Sequence, residues 1–155
     1  MITRHITPDL SRSPAQTSPL ARFNQQVIQC QDDAYTLAWY LLGDEAEAEA
    51  VMQKAIEAAY HCFASKLENC HLLILKQVVK QCRGRKQAAF GSDGTDAFTD
   101  LNILSGSERL AIVLIEVLGL GYCEAARITD IPLKETRRLL AQARRRMRDQ
   151  MKCAD

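Results

Sequence analysis

Phe23, Val27, Cys30, Ala34, Leu37 and Leu41 recur at alternating spacings of four and three, the apolar stripe of an amphipathic helix. Gly43 follows as the residue that best tolerates a left-handed C-cap. Asp44 is then placed to cap a second helix, with Glu45 and Glu47 at its positive end. That helix is expected over 45–63, its stripe running Ala48, Val51, Met52, Ala55, Ile56, Ala59 and Cys62. A third is expected over 69–83, with Leu72, Leu75, Val78, Val79 and Cys82 inward and Lys76, Lys80, Arg83 and Arg85 on its exposed side. Upstream, Pro8, Pro14 and Pro19 stand among Ser, Thr and Arg, which predicts a flexible arm over 1–21, with order beginning near Phe23.

The helical pattern fails after Lys86, where Gly91, Ser92, Asp93, Gly94, Thr95 and Asp96 cluster. This is linker composition and predicts a boundary between a helical domain at 22–86 and another at 104–155, joined by a linker at 87–103. In the second domain, Ser107 is expected to cap a helix over 108–118, closed by Gly119. A short helix over 122–128 follows, then the turn Thr129-Asp130-Ile131. Pro132 opens a long helix to about Met151, since a first-turn proline loses no intrahelical hydrogen bond. Thr136, Leu140, Ala143 and Met147 fall on its inward side. No alternating β pattern occurs, so the fold class is all-α.

Composition narrows the function. With 47% hydrophobic and 25% charged residues, the chain is an ordinary globular one. At 6% aromatic residues the core must be aliphatic, and a net charge of +1 supplies no global attraction to nucleic acid. No apolar run is long enough to span a membrane, and the polar stretch from Met1 to Leu20 leads to the expectation of no signal peptide. The expectation is a cytoplasmic protein with its six cysteines reduced. His61-Cys62 and Cys70-His71 flank a helix connection and could gather zinc ligands. Their spacing is not that of the common structural sites, and Cys62 also fits the inward stripe, so no metal is expected. No phosphate loop, zinc-protease run or acid–base pair is present, so no enzymatic activity and no cofactor are expected.

Residues 124–143 have helix-turn-helix form: a short helix, a tight turn, then a longer basic helix. Ala126 is small where the two helices cross, and Asp130 stands where the turn asks for a left-handed residue. The second helix of such a motif can enter a major groove and read base edges from its N-terminal part, where Lys134, Arg137 and Arg138 stand. Arg144 and Arg145 suit phosphates. The same charges also fit the solvated face of an ordinary helical hairpin.

The order of elements resembles the extracytoplasmic-function class of bacterial RNA polymerase sigma factors. Residues 23–85 are similar to region 2 of that family and 104–151 to region 4. Leu104-Ser105-Gly106-Ser107-Glu108-Arg109, Gly119-Leu120-Gly121-Tyr122-Cys123-Glu124-Ala125-Ala126, Ile131-Pro132-Leu133 and Ala143-Arg144 carry the second match. Ala34-Tyr35-Thr36-Leu37-Ala38, Leu42-Gly43-Asp44, Ala48-Glu49 and Gln53 carry the first. The resemblance implies partners in core RNA polymerase and promoter DNA. Glu49 and Gln53 would meet polymerase. Lys76, Lys80, Arg83 and Arg85 would lie near the −10 element. Lys134, Arg137, Arg138, Arg144 and Arg145 would lie at the −35 element.

The chain departs from the family pattern at several positions. Ala50 stands where a carboxylate is usual, Ile74 near a usual tryptophan, and Lys134-Glu135-Thr136 in place of Gly-Thr-Val. Leu139 follows Arg138 where the family has Ser then Arg. Ala50 is expected to weaken the polymerase contact, Ile74 to limit strand opening, and Glu135 to repel phosphate. A second reading follows: a sigma mimic that binds an anti-sigma factor or another protein without opening promoters. A stand-alone helix-turn-helix regulator ranks third, since it leaves the first domain unexplained.

Overall fold

Helix α1 begins at Pro19 and runs to Leu42, in a computed structural model that describes residues 18–63, 69–85 and 99–153. It starts four residues before the expected onset at Phe23. Pro19 acts as a first-turn residue rather than a breaker, and Ser18 Oγ accepts a hydrogen bond from the Ala21 N–H at 3.2 Å. The rest of the expected arm lies outside the described residues. Gly43, at φ 68°, closes α1 by donating its N–H to the Trp39 carbonyl at 2.7 Å. Helix α2 (Glu45–Phe63) is capped by Asp44, whose Oδ1 accepts from the Glu47 N–H at 2.9 Å. Helix α3 (Cys70–Cys82) is capped by Asn69.

These three helices all pack on one another. Helix α2 contributes Ala48, Ala55 and Ala59 with Val51, all fully buried. Such small side chains let Leu37 of α1 and Leu75 and Val78 of α3 fill the space between the helices. Phe23 closes one end, with its ring edge-on to Tyr60 at 5.2 Å and tilted against Phe63 at 5.3 Å. His71 Nε2 lies 2.8 Å from Asp33 Oδ2 and ties α3 to α1. The inward face of α3 is shifted from the expected stripe: Cys70, Leu73 and Ile74 are buried with Leu75, Val78 and Val79, while Leu72 and Cys82 are only partly buried.

The expected linker enters the described residues at Thr99. Thr99–Ile103 forms a 3-10 turn whose Leu101 is buried with Leu104, Ile112, Leu140 and Ala143, so this end of the linker belongs to the core. Helix α4 (Gly106–Ile112) continues through a π-helical turn at Val113–Val117. Its cap is Ser105, not the expected Ser107. Ser105 and Glu108 form a reciprocal capping box: Ser105 Oγ accepts from the Glu108 N–H at 3.3 Å, and Glu108 Oε2 accepts from the Ser105 N–H at 3.1 Å. Arg109 is buried and donates from Nη2 to the Leu101 carbonyl at 2.9 Å, fastening the 3-10 turn to α4. Burial lowers the Arg109 pKa from its ordinary value.

Helices α5 (Tyr122–Thr129) and α6 (Leu133–Cys153) complete the fold. Helix α6 packs on α4, on the 3-10 turn and on α5, while α5 also packs on α3. Val113, Leu114, Ala125 and Ile128 join the same apolar cluster as α1–α3, and Tyr40 touches that cluster and the one under α6. The described residues contain no strand, and the all-α expectation holds. None of their helices is long and apolar enough to cross a membrane.

Candidate functional site

Asp130 adopts the left-handed conformation, φ 56° and ψ 29°, between α5 and α6. Before it, Thr129 Oγ1 donates to the Ala125 carbonyl at 2.9 Å; after it, Thr136 Oγ1 donates to the Pro132 carbonyl at 3.2 Å. These bonds let two polar residues sit buried at the crossing of the helices. Helix α6 turns Thr136, Leu139, Leu140 and Ala143 inward. Eight of its 21 residues are Lys or Arg and two are acidic, so the outward face is strongly basic.

Lys134, Arg137, Arg138, Arg144 and Arg145 are all exposed on α6. The Arg137 guanidinium lies 5.7 Å from the Tyr122 ring centroid, a cation–π arrangement. Arg138 donates from Nε to Glu135 Oε2 at 2.8 Å and from Nη2 to Glu135 Oε1. That hydrogen bond holds the Glu135 carboxyl below its ordinary pKa. Arg144 donates from Nε and Nη2 to Glu116 Oε1, joining α6 to the π-helical turn.

The basic residues of α3 are placed differently. Lys76 Nζ lies 3.0 Å from Asp130 Oδ1, and Arg83 Nη2 donates to the Thr129 carbonyl at 3.2 Å. Both therefore meet the end of α5, and Lys76 does so beside a cavity of about 510 Å³ lined in part by Leu72, Leu73, Arg127 and Ile128. Arg85 Nη1 lies 3.4 Å from Glu47 Oε2 on α2, and Lys80 is exposed. On α2, Glu49, Ala50 and Gln53 are exposed. Ile74 is fully buried in the α1–α3 core, so its side chain faces packing and not a nucleic-acid surface.

Sequence reasoning missed the partners: Asp130 and Thr129 for α3, Glu116 for Arg144, and Tyr122 for Arg137. Asp130 was legible only as a turn residue, because its second contact comes from a remote helix. The two His/Cys dipeptides do not converge. His71 faces Asp33, while Cys70 is buried beside Cys30, whose thiol is pushed up to about 12 by burial and by Cys70 and Asp33. Among the described residues, no three His, Cys, Asp or Glu side chains group to hold a metal ion.

Solved structures share this arrangement over most of the chain, among them two chains solved in complexes. One is the sigma factor RpoE from Bartonella quintana, in complex with the anti-sigma factor NepR. The fold is that of a sigma factor. RpoE matches with a TM-score of 0.67 and 23% identity over 84% of this chain and 97% of its own. The other is CnrH, in complex with the cytosolic domain of CnrY; it matches with a TM-score of 0.76 and 19% identity over 91% of this chain and 94% of its own. No protein-family model and no curated protein sequence matches the chain.

Proposed function

We propose that the chain is a sigma factor of the extracytoplasmic-function class, which recruits core RNA polymerase to promoters. The observation that carries the reading is the likeness to a sigma factor along nearly the whole chain, joined to an outward face of α6 dense in arginine. On this reading α1–α3 form one functional unit and α4–α6 another. Helices α5 and α6 are the helix-turn-helix, with Lys134, Arg137 and Arg138 in the −35 major groove and Arg144 and Arg145 on phosphates. Lys76, Lys80, Arg83 and Arg85 engage the −10 element. Glu49 and Gln53 contact polymerase. An anti-sigma factor is a further partner on this reading, because RpoE was solved with one.

The test is co-elution with bacterial core RNA polymerase, followed by transcription from a promoter library. Co-elution with defined transcripts is expected, and failure to co-elute would sink the assignment. A second reading, a sigma mimic that binds a protein partner without opening promoters, draws support from Lys76 and Arg83, whose side-chain donors are engaged by the end of α5. Ala50→Asp separates the two. Ala50 is exposed, so the substitution leaves the core intact. A sigma factor should then hold polymerase as well or better, whereas a mimic should be indifferent.

A further inference from the structure

We propose that Arg138 reads a guanine in the −35 duplex and that Glu135 is the residue that positions it, an inference resting on the −35 reading above. A guanidinium carries five N–H donors arranged as two forks. Glu135 occupies one of them, the side formed by Nε and Nη2. The other fork, the outer edge made by Nη1 and the second hydrogen of Nη2, points away from the carboxylate. Two parallel donors there match two adjacent acceptors. In the major groove guanine offers such a pair in O6 and N7, while adenine places an amino donor beside N7. The Glu135 pair thus leaves Arg138 the fork suited to guanine and unsuited to adenine.

Three further observations favour this role. Positions three apart on a helix share a face, so Glu135 and Arg138 project together from the N-terminal part of α6. Both side chains remain about half exposed, at 41% and 53%, so the pair is open to a ligand. Leu139, the next residue, is buried, so of these two adjacent positions only Arg138 reaches outward. The Glu135 charge, which by sequence alone is expected to repel phosphate, has a counter-ion. A carboxylate that holds an arginine in one rotamer also reduces the side-chain entropy lost when that arginine meets a base.

The experiment uses the full chain bound to core RNA polymerase and a duplex library randomised across the −35 region. Wild type is expected to select guanine at one position by about 5- to 150-fold over other bases, the range of a good bidentate contact. Arg138→Ala should abolish the preference at that position alone, and Arg138→Lys should weaken it there, because an ammonium on a flexible stem lacks the rigid, pre-organised fork. Glu135→Gln and Glu135→Ala should weaken discrimination at the same position and leave the others unchanged, with the glutamine retaining more of it. A Glu135 variant that binds all sequences more tightly and equally would reduce its role to phosphate repulsion and overturn the proposal. So would an unchanged guanine preference in the Glu135 variants, or one that survives Arg138→Ala. If wild type bound polymerase but selected no −35 sequence, both this proposal and the −35 reading would fall. Selection in wild type that the variants leave intact sinks this proposal alone.

Discussion

Lys76 on α3 and Asp130 in the turn before α6 form an ion pair at 3.0 Å between residues 54 apart in the chain. The neighbouring bond from Arg83 to the Thr129 carbonyl reinforces the same junction. Two side chains that the family resemblance assigns to promoter DNA thereby meet the end of α5. The apolar part of the junction is Ala125 and Ile128, buried in the cluster that α1–α3 share.

Asp130→Asn removes the charge and keeps a residue that tolerates the left-handed conformation. Both partners of the ion pair are about half exposed, so its contribution should be small, about 0.2–1 kcal/mol. The expected result is a modest rise in the separation of fluorophores placed on α2 and α6. Raising the salt concentration should move wild type toward the variant. A double-mutant cycle with Lys76→Met measures the coupling, and a coupling of zero would refute the pair's part in the junction.

The capping box predicts different outcomes at two neighbouring serines. Ser105→Ala should cost about 1 kcal/mol of stability, because the Glu108 N–H loses its acceptor. Ser107→Ala should stay within about 0.5 kcal/mol, as at an ordinary exposed site. Urea denaturation of the two variants compares them directly.

Arg109 offers a test of the 3-10 turn. Arg109→Met fills much of the same volume and leaves the Leu101 carbonyl without its donor, which should cost about 1–3 kcal/mol. Hydrogen exchange in 99–104 should speed up more than in α1–α3. Equal acceleration everywhere would mean that Arg109 holds no local element.

The thiols predict both reactivity and pH dependence. Burial raises Cys30 to about 12 and Cys82 to about 11, against an ordinary value of 9.0. At pH 8 the exposed Cys123 and Cys153 should react with iodoacetamide far faster than Cys30 or Cys82. Because the folded-state values are raised, the unfolded chain loses these protons first. Stability is therefore full below pH 9 and falls as pH rises through about 11 to 12. Tm measured from pH 7 to 11 checks the sign, and a rise in Tm above pH 9 would contradict it.

Helix boundaries were legible where their causes are local. Gly43, Asp44 and Asp130 each act within a few residues of themselves, and their sequence assignments match the structure. Pro19 and Ser105 were missed although their signals are also local. A proline breaks a helix interior but suits a first turn, and of the two serines only Ser105 has a Glu three residues on to complete a capping box. Leu101 was lost in linker composition, since a single buried leucine produces no periodicity.

The sequence by itself determined the all-α class, the order of the helices and the basic character of α6, because period, caps and charge spacing act over one or two turns. Only the tertiary structure decided what the charges meet. Lys76 with Asp130, Arg83 with Thr129 and Arg144 with Glu116 join residues 54, 46 and 28 positions apart. Such contacts depend on how α3, α5 and α6 pack, and packing is set by the shapes of many side chains at once.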